Sequence, residues 1–237
     1  MSNKYENLSF FRQRIVRKEG TRMLIQEEEY ELLLRNDNDG RSSFPEKLLG
    51  EAIVDHQEHK KYLKKIECLL EGILQNNSGI YYINIDPQQL YYEETFLLFE
   101  RLKKFKQELK IELTEHLPYK REGSYGHQFL LEQVIRLREM DYEIVLDDFL
   151  TGINGIDQLI ALSPFISRVK ISKLIFNRKV SDSTFYSFIC ETAKLVHEIN
   201  PNLSLVIEAE ETEEILEKLP NAWYYQTYYF DNPSKIN

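Results

Sequence analysis

Leu109-Lys110-Ile111-Glu112-Leu113-Thr114-Glu115 and Glu143-Ile144-Val145-Leu146-Asp147-Asp148 share one pattern: a short apolar run that ends on carboxylates. Runs this short and apolar suit strands buried on both faces. Helical periodicity fills the gap between them, through Phe129, Leu130, Val134, Ile135 and Leu137 of residues 128–140. Outward from this pair the alternation continues in both directions. Strands are expected at 80–85, 168–171 and 203–207, and a final one at 223–230. Helices are expected at 92–107, 155–162, 184–199 and 211–219. Strand and helix units repeated this often predict an α/β protein with a parallel sheet and helical crossovers. One closed (β/α)8-type, TIM-like barrel is the simplest architecture, and an open doubly wound sheet is the alternative that periodicity leaves standing.

The amino-terminal part is less regular. Two strands, 10–16 and 21–25, are expected around Lys18-Glu19-Gly20, then a polar loop at 36–43 and one long helical stretch at 47–74. No Pro/Gly/Ser-rich linker divides the 237 residues, so one domain over 1–237 is expected, with a core at about 10–233 and no attached sensor or cyclase domain.

Composition narrows the function. Acidic side chains number 39 against 30 basic ones, a formal charge of −9. A groove for a DNA or RNA duplex needs a basic excess, so that class is disfavoured. A small phosphorylated ligand is not, because bound cations can supply positive charge. Cys68 and Cys190 sit in apolar helical patterns and read as buried thiols. The first ten residues are polar and do not resemble a signal peptide, and no run approaches a membrane span. The default location is the cytoplasm.

Polar residues recur at the carboxyl ends of the expected strands: Asn84, Glu112 and Glu115, Asp147 and Asp148, Lys170, Glu208 and Gln226. In an α/β barrel those ends share one rim, where active sites are built. Converging acids repel one another unless cations bind. Oxygen ligands without thiols or clustered His favour Mg²⁺ or Mn²⁺, and adjacent carboxylates can bridge two ions. Taken singly, each residue has an ordinary role. An acid after a strand caps a helix, Lys170 reaches solvent, and Asn84-Ile85-Asp86-Pro87 is a turn. His116, a lone exposed His, reads as incidental. The ordered combination carries the argument.

That order resembles the EAL phosphodiesterase domain from about residue 10 to 233. The family's Glu-Ala-Leu-Leu-Arg stands here as Glu31-Leu32-Leu33-Leu34-Arg35, and its Asn-x-Ser-Pro as Asn84-Ile85-Asp86-Pro87, followed by Gln89-Leu90. Its Glu-Leu-Thr-Glu is Glu112-Leu113-Thr114-Glu115, and its Asp-Asp-Phe-Gly-Thr-Gly is Asp147-Asp148-Phe149-Leu150-Thr151-Gly152. Lys-Ile-Asp appears as Lys170-Ile171-Ser172, and Ala-Glu-Gly-Val-Glu-Thr as Ile207-Glu208-Ala209-Glu210-Glu211-Thr212. Gln-Gly-Tyr then Pro is Gln226-Thr227-Tyr228 then Pro233, and Gln13 matches the Gln of the family's Gln-Pro-Ile strand.

The resemblance implies a metal-dependent hydrolysis of cyclic di-GMP to linear pGpG. Glu31, Asn84, Glu112 and Asp147 would hold one ion. Asp147 and Asp148 would hold a second, with Asp147 bridging. Lys170 would orient or activate the attacking water, and Glu208 would be general base or a ligand near the second metal. Arg35 would grip a phosphate, and Gln13 and Gln226 would contact the ligand. Glu115 would anchor the loop after the paired aspartates, and Glu211 would hold that geometry from behind. Cyclic di-GMP is the implied partner, with a second copy of the chain as a candidate.

The chain departs from the family pattern at four places that bear on the site. Leu150 stands for a Gly in that loop, Ser172 for the Asp of Lys-Ile-Asp, and Ala209 and Thr227 for glycines. The segment after Arg35 also lacks the usual Pro-x-x-Phe-Ile-Pro run. These departures keep two other readings open: a non-catalytic cyclic di-GMP receptor or protein-interaction module, and an unrelated metal-dependent barrel hydrolase.

Overall fold

The computed structural model describes residues 4–19, 22–38, 41–116, 127–173, 180–208, 220 and 223–236. Two long strands, β1 (Leu8–Glu19) and β2 (Arg22–Asn38), open the chain, followed by the short β3 (Arg41–Ser43). Helices α1 (Glu46–Val54) and α2 (His56–Asn76) lead into β4 (Ile80–Ile85). Then come α3 (Glu93–Arg101), β5 (Leu109–Leu113), α4 (His127–Glu139) and β6 (Ile144–Leu146). The remainder is α5 (Ile156–Leu162), β7 (Arg168–Ser172), α6 (Asp182–Ile199), β8 (Ser204–Glu208), β9 (Tyr224–Gln226) and β10 (Ser234–Lys235).

Eight of the strands close into a barrel in the order β1-β2-β4-β5-β6-β7-β8-β9, with β9 pairing back to β1. Seven run parallel, and β1 is antiparallel to both its neighbours. The closed barrel is the architecture read from the alternation, and it excludes the open sheet. Because β1 is reversed, its first half, not its last, lies at the carboxyl rim of the other strands. Gln13 therefore pairs in register with Glu31.

Packing differs on the two faces of the barrel wall. The outer face is apolar: Leu109, Ile111 and Leu113 of β5 and Val169 and Ile171 of β7 share one core with Leu130, Val134 and Leu137 of α4 and with Ile189 and Val196 of α6. The inner face is mostly polar and arranged in levels, as inward side chains of a barrel are. At the amino end Arg168 donates from Nη1 to Glu29 Oε2 at 2.6 Å and from Nε to Ser204 Oγ at 3.1 Å. Tyr82 also donates to Glu29, at 2.9 Å, and the guanidinium lies 4.0 Å from the Tyr224 ring centroid. Ile15, Tyr82, Val145 and Val206 form a small apolar plug. Two residues further along each strand lies the carboxyl rim.

Four expectations are corrected. The helix expected at 47–74 is two helices. Asp55 takes extended dihedrals and its Oδ1 accepts from Gln57 and Glu58 N, each at 2.9 Å, so it ends one helix and starts the next. The strand expected at 21–25 runs on through Asn38 into the start of the expected loop, and β3 takes up the end of that loop. Pairing with β1 on one side and β4 on the other overrides the poor strand propensity of its acidic run. The final strand stops at Gln226. Phe230 and Asp231 N both bond Thr227 O in a turn, and Tyr228 and Tyr229 are half exposed. The thiols are not buried: Cys68 is exposed and Cys190 is at intermediate depth. The inward stripe of α2 runs through Tyr62, Leu63, Ile66, Leu70, Ile73 and Leu74, and Cys68 points away from it. The helix expected at 211–219 lies outside the described residues. Among those described, no helix is long and apolar enough to cross a membrane.

Candidate functional site

Alternation along seven strands aims their polar residues at one point above the apolar plug. The centre is Lys170 on β7, which is 1% exposed. Its Nζ donates to Glu31 Oε2 at 3.0 Å and to Glu112 Oε2 at 2.9 Å. It also lies 2.6 Å from Glu208 Oε1 and 3.3 Å from Asp147 Oδ1. One ammonium thus faces four carboxylates from β2, β5, β8 and the end of β6. Glu31 is further held by Asn84 Nδ2 at 2.6 Å and by Gln226 Nε2 at 2.5 Å, and Gln226 also donates to Gln13 at 3.1 Å.

The loop after β6 carries the paired aspartates and is pinned from below. Phe149 N donates to Lys170 O at 2.9 Å, and Ile153 N to Glu115 O at 2.9 Å. Asn154 is fully buried, and its Nδ2 donates to Leu113 O at 3.1 Å and Asp147 O at 2.5 Å. Asp148, Leu150 and Gly152 have φ of 41°, 74° and 48°. At Gly152 a Cβ would lie 1.9 Å from Glu115 O, so only glycine fits. Leu150 has no such licence; its left-handed backbone is held by the bond from its N to Asn154 O at 2.8 Å.

Burial and crowding set the charges. Burial pushes Glu112 well above the usual carboxylate range despite Lys170, and it raises Asp147. Burial, then the neighbouring Asp147 and Glu115, push Asp148 up to about 7. Burial pushes Glu208 to about 8, with Asp147 and Glu31 adding and Lys170 opposing. Burial also acts on Glu31, but Lys170, Gln226 and Asn84 outweigh it and hold Glu31 low. Lys170 is held well above its ordinary value because the four carboxylates outweigh its burial. One lysine therefore does not supply enough positive charge for every acid here to ionise.

The donor set fits hard cations. Asn84 Oδ1, Glu112 Oε1, Asp147 Oδ1 and Asp148 Oδ1 are buried oxygens with no hydrogen-bond partner; Lys170 is near enough to Asp147 for attraction but poorly aligned for a bond. Carboxylate oxygens of Glu115, Asp147 and Asp148 lie within 4.8 Å of one another. Unpaired buried oxygens are costly, and coordination to a cation is one way to satisfy them.

Above the cluster is a cavity of about 360 Å³. Gln13, Glu31, Arg35, Asn84, Glu115, Asp147, Asp148, Glu208 and Gln226 line it, while Glu112 and Lys170 form the floor beneath. Every site residue expected from sequence is thus brought to one rim, except Glu211 and its neighbour Ala209, which lie outside the described residues. Arg35 is half buried and bonds the Leu34 carbonyl at 2.9 Å. Ser172, in register with Glu208 on the Lys170 side of β7, is 2% exposed. Sequence reasoning missed Asn154, although an Asn two residues after the loop glycine was a visible signal. It also missed the Glu29–Arg168 level beneath the site.

The model of one protein family, the EAL domain, matches residues 28–233 of the chain. No curated protein sequence matches it. Solved structures with the same fold include the Bacillus subtilis YkuI protein, with an EAL domain, in complex with substrate cyclic di-GMP and calcium. It is 19% identical with a TM-score of 0.70, over 99% of this chain and 57% of that one. The Klebsiella pneumoniae BlrP1 manganese/cyclic di-GMP complex is 18% identical with a TM-score of 0.69, over 98% and 57%. The FimX EAL domain from Pseudomonas aeruginosa, bound to cyclic di-GMP, is 16% identical with a TM-score of 0.69, over 98% and 93%. The chain thus spans a little over half of the YkuI and BlrP1 chains.

Proposed function

The chain belongs to the EAL domain family, and from that premise we propose that it is a cation-dependent phosphodiesterase that opens cyclic di-GMP to linear pGpG. The observation that carries this reading is the four-carboxylate setting of Lys170, topped by unpaired buried oxygens at the floor of a cavity.

In this reading Glu31, Asn84, Glu112 and Asp147 would hold one cation, and Asp147 and Asp148 would hold a second. Divalent cations of the Mg²⁺ or Mn²⁺ class held there would supply the positive charge that makes a water nucleophilic and stabilises a leaving oxygen. Lys170 positions that water through its fixed ammonium. Glu208, at the wall and next to Lys170, takes the water's proton. The water oxygen attacks phosphorus, the bond to the 3′ oxygen breaks, and that oxygen takes up a proton from solvent, while Glu208 returns the water's proton to solvent. Arg35 holds a phosphate, Gln13 and Gln226 orient the ligand, and Glu115 fixes the loop that carries Asp147 and Asp148. Glu211 supports that geometry. The protein would act in the cytoplasm, and its self-association is tested by oligomeric state in solution.

A second reading, a cyclic di-GMP receptor without turnover, rests on Leu150 at φ 74° and on Ser172. The two are separated by incubating the protein with cyclic di-GMP and Mn²⁺ or Mg²⁺ and resolving the products by chromatography. Appearance of pGpG supports the enzyme. Tight binding by calorimetry with no pGpG identifies the receptor.

A further inference from the structure

Asp86 and Gln89 cap a short turn at the wall of the cavity, and the cap leaves one acceptor and one donor unused. The turn is the 3₁₀ segment Pro87–Tyr91. Asp86 Oδ1 accepts from Gln88 N at 2.8 Å, and Gln89 Oε1 accepts from Asp86 N at 3.0 Å. These bonds account for one oxygen of each side chain. Asp86 Oδ2 has His116 Nδ1 at 3.5 Å, too far for a good hydrogen bond. Gln89 Nε2 has no hydrogen-bond partner. Both residues line the cavity, and both are nearly buried, at 7% and 2% exposure. Capping alone does not require a carboxylate, since Ser caps as well. The motif that this stretch resembles has Ser here, which would cap without a second carboxylate oxygen.

Position limits what the pair can meet. Asn84, at the rim of the carboxylate cluster, is two residues before Asp86, a reach of at most about 7 Å. A nucleotide whose phosphate lies at that rim carries its base one ribose away, over a similar distance. Phe10, Leu34, Leu49 and Tyr62 line the same cavity and offer apolar surface to a base. A guanine edge presents N1–H and N2–H donors beside the O6 acceptor. A carboxylate oxygen can accept from those donors, and an amide N–H can reach O6. Adenine presents a bare N1 to the same carboxylate and is repelled.

Resting on the reading of the site as one for a cyclic dinucleotide, we propose that Asp86, assisted by Gln89, reads the edge of one guanine and sets the preference for guanine over adenine. A site built to bond a substrate N–H discriminates against the analogue that lacks it. A hydrogen bond to a charged group contributes roughly 1.5–3 kcal/mol, which is about 10–100-fold in affinity.

The test is calorimetric titration of cyclic di-GMP and cyclic di-AMP, with Ca²⁺ present, into the wild type, Asp86→Asn and Asp86→Ser. Asn keeps size and the capping oxygen but replaces Oδ2 by a donor; Ser keeps only the cap. The expected result is a loss of about 10–100-fold for cyclic di-GMP in both variants, with unchanged melting temperatures and cyclic di-AMP binding no weaker than in wild type. Unchanged cyclic di-GMP affinity, or equal loss for both ligands, overturns the proposal while leaving the site reading intact. A wild type that binds neither dinucleotide overturns both.

Discussion

Lys170 Nζ lies 2.6 Å from Glu208 Oε1 while also donating to Glu31 and Glu112, so a single fully buried ammonium ties β7 to β8, β2 and β5. A lone charge with four acidic partners is not a simple salt bridge. It fixes the carboxylates in place and still leaves them with surplus negative charge for cations to neutralise.

Lys170→Met should therefore fail in two separable ways. Turnover should fall roughly 100-fold or more, as when a fixed donor is taken from a reaction centre. The cation-free protein should melt lower, because the carboxylates lose their buried partner. Added Mn²⁺ should raise the melting temperature of the variant by more than that of the wild type. Equal shifts in the two proteins would mean that cations bind elsewhere.

The raised acids predict a specific pH dependence. Asp148 and Glu208 have folded-state values of about 7 and about 8, above their ordinary 3.8 and 4.5. Their stabilising contribution is therefore complete below about pH 4 and is lost as pH rises through 7 and 8. Cation-free protein should become less stable as pH rises from about 4 to about 8, with little further change above that. Mn²⁺ should bind more tightly across the same interval and release protons. Calorimetry in buffers of different ionisation enthalpy reads the released protons directly; no proton release near pH 7 would contradict the assignment.

Gly152→Ala tests the loop under Asp147 and Asp148. Its Cβ would meet the Glu115 carbonyl at 1.9 Å on a backbone already at φ 48°. The loop must shift, so cation affinity should drop at least about 10-fold, the scale of lost supporting contacts around a metal. A variant with wild-type Mn²⁺ affinity by titration would show that the loop does not shape the site.

The amino end of the barrel should govern stability alone. Glu29→Ala leaves Arg168 buried without its ionic partner, 2.6 Å away in the wild type. The expected cost is about 3–5 kcal/mol in urea unfolding, with Mn²⁺ affinity of the folded protein unchanged. Loss of cation binding in fully folded Glu29→Ala would show that the two levels are coupled.

Much of this fold was legible because β4, β5 and β7 are short strands between helical patterns, and they carry Asn84, Glu112 and Lys170 in their middle or carboxyl-terminal positions. The rim followed from the architecture, since parallel barrel strands bring those ends together. Other features were hidden for physical reasons. In β5 and β7 every residue is buried, so alternation does not say which face is inner, and the Arg168–Glu29 pair gives no sign in the sequence. The acidic run before Glu31 disfavours a strand, and only pairing with β1 and β4 makes it one. The reversal of β1 and the break at Asp55 depend on partners far along the chain or on a single cap. Asp86 read as part of a turn, which it is; its spare oxygen appears only with the cavity beside it.

The measurement closest to the central claim is the rate of pGpG formation from cyclic di-GMP across a Mn²⁺ titration, in the wild type and in Glu112→Ala. Glu112 forms the floor with one oxygen on Lys170 and the other unpaired. The account predicts pGpG from the wild type that saturates with Mn²⁺ and disappears on chelation, and none from folded Glu112→Ala at any concentration tested. Equal rates in the two proteins, or wild-type turnover indifferent to Mn²⁺ and to chelator, would contradict it.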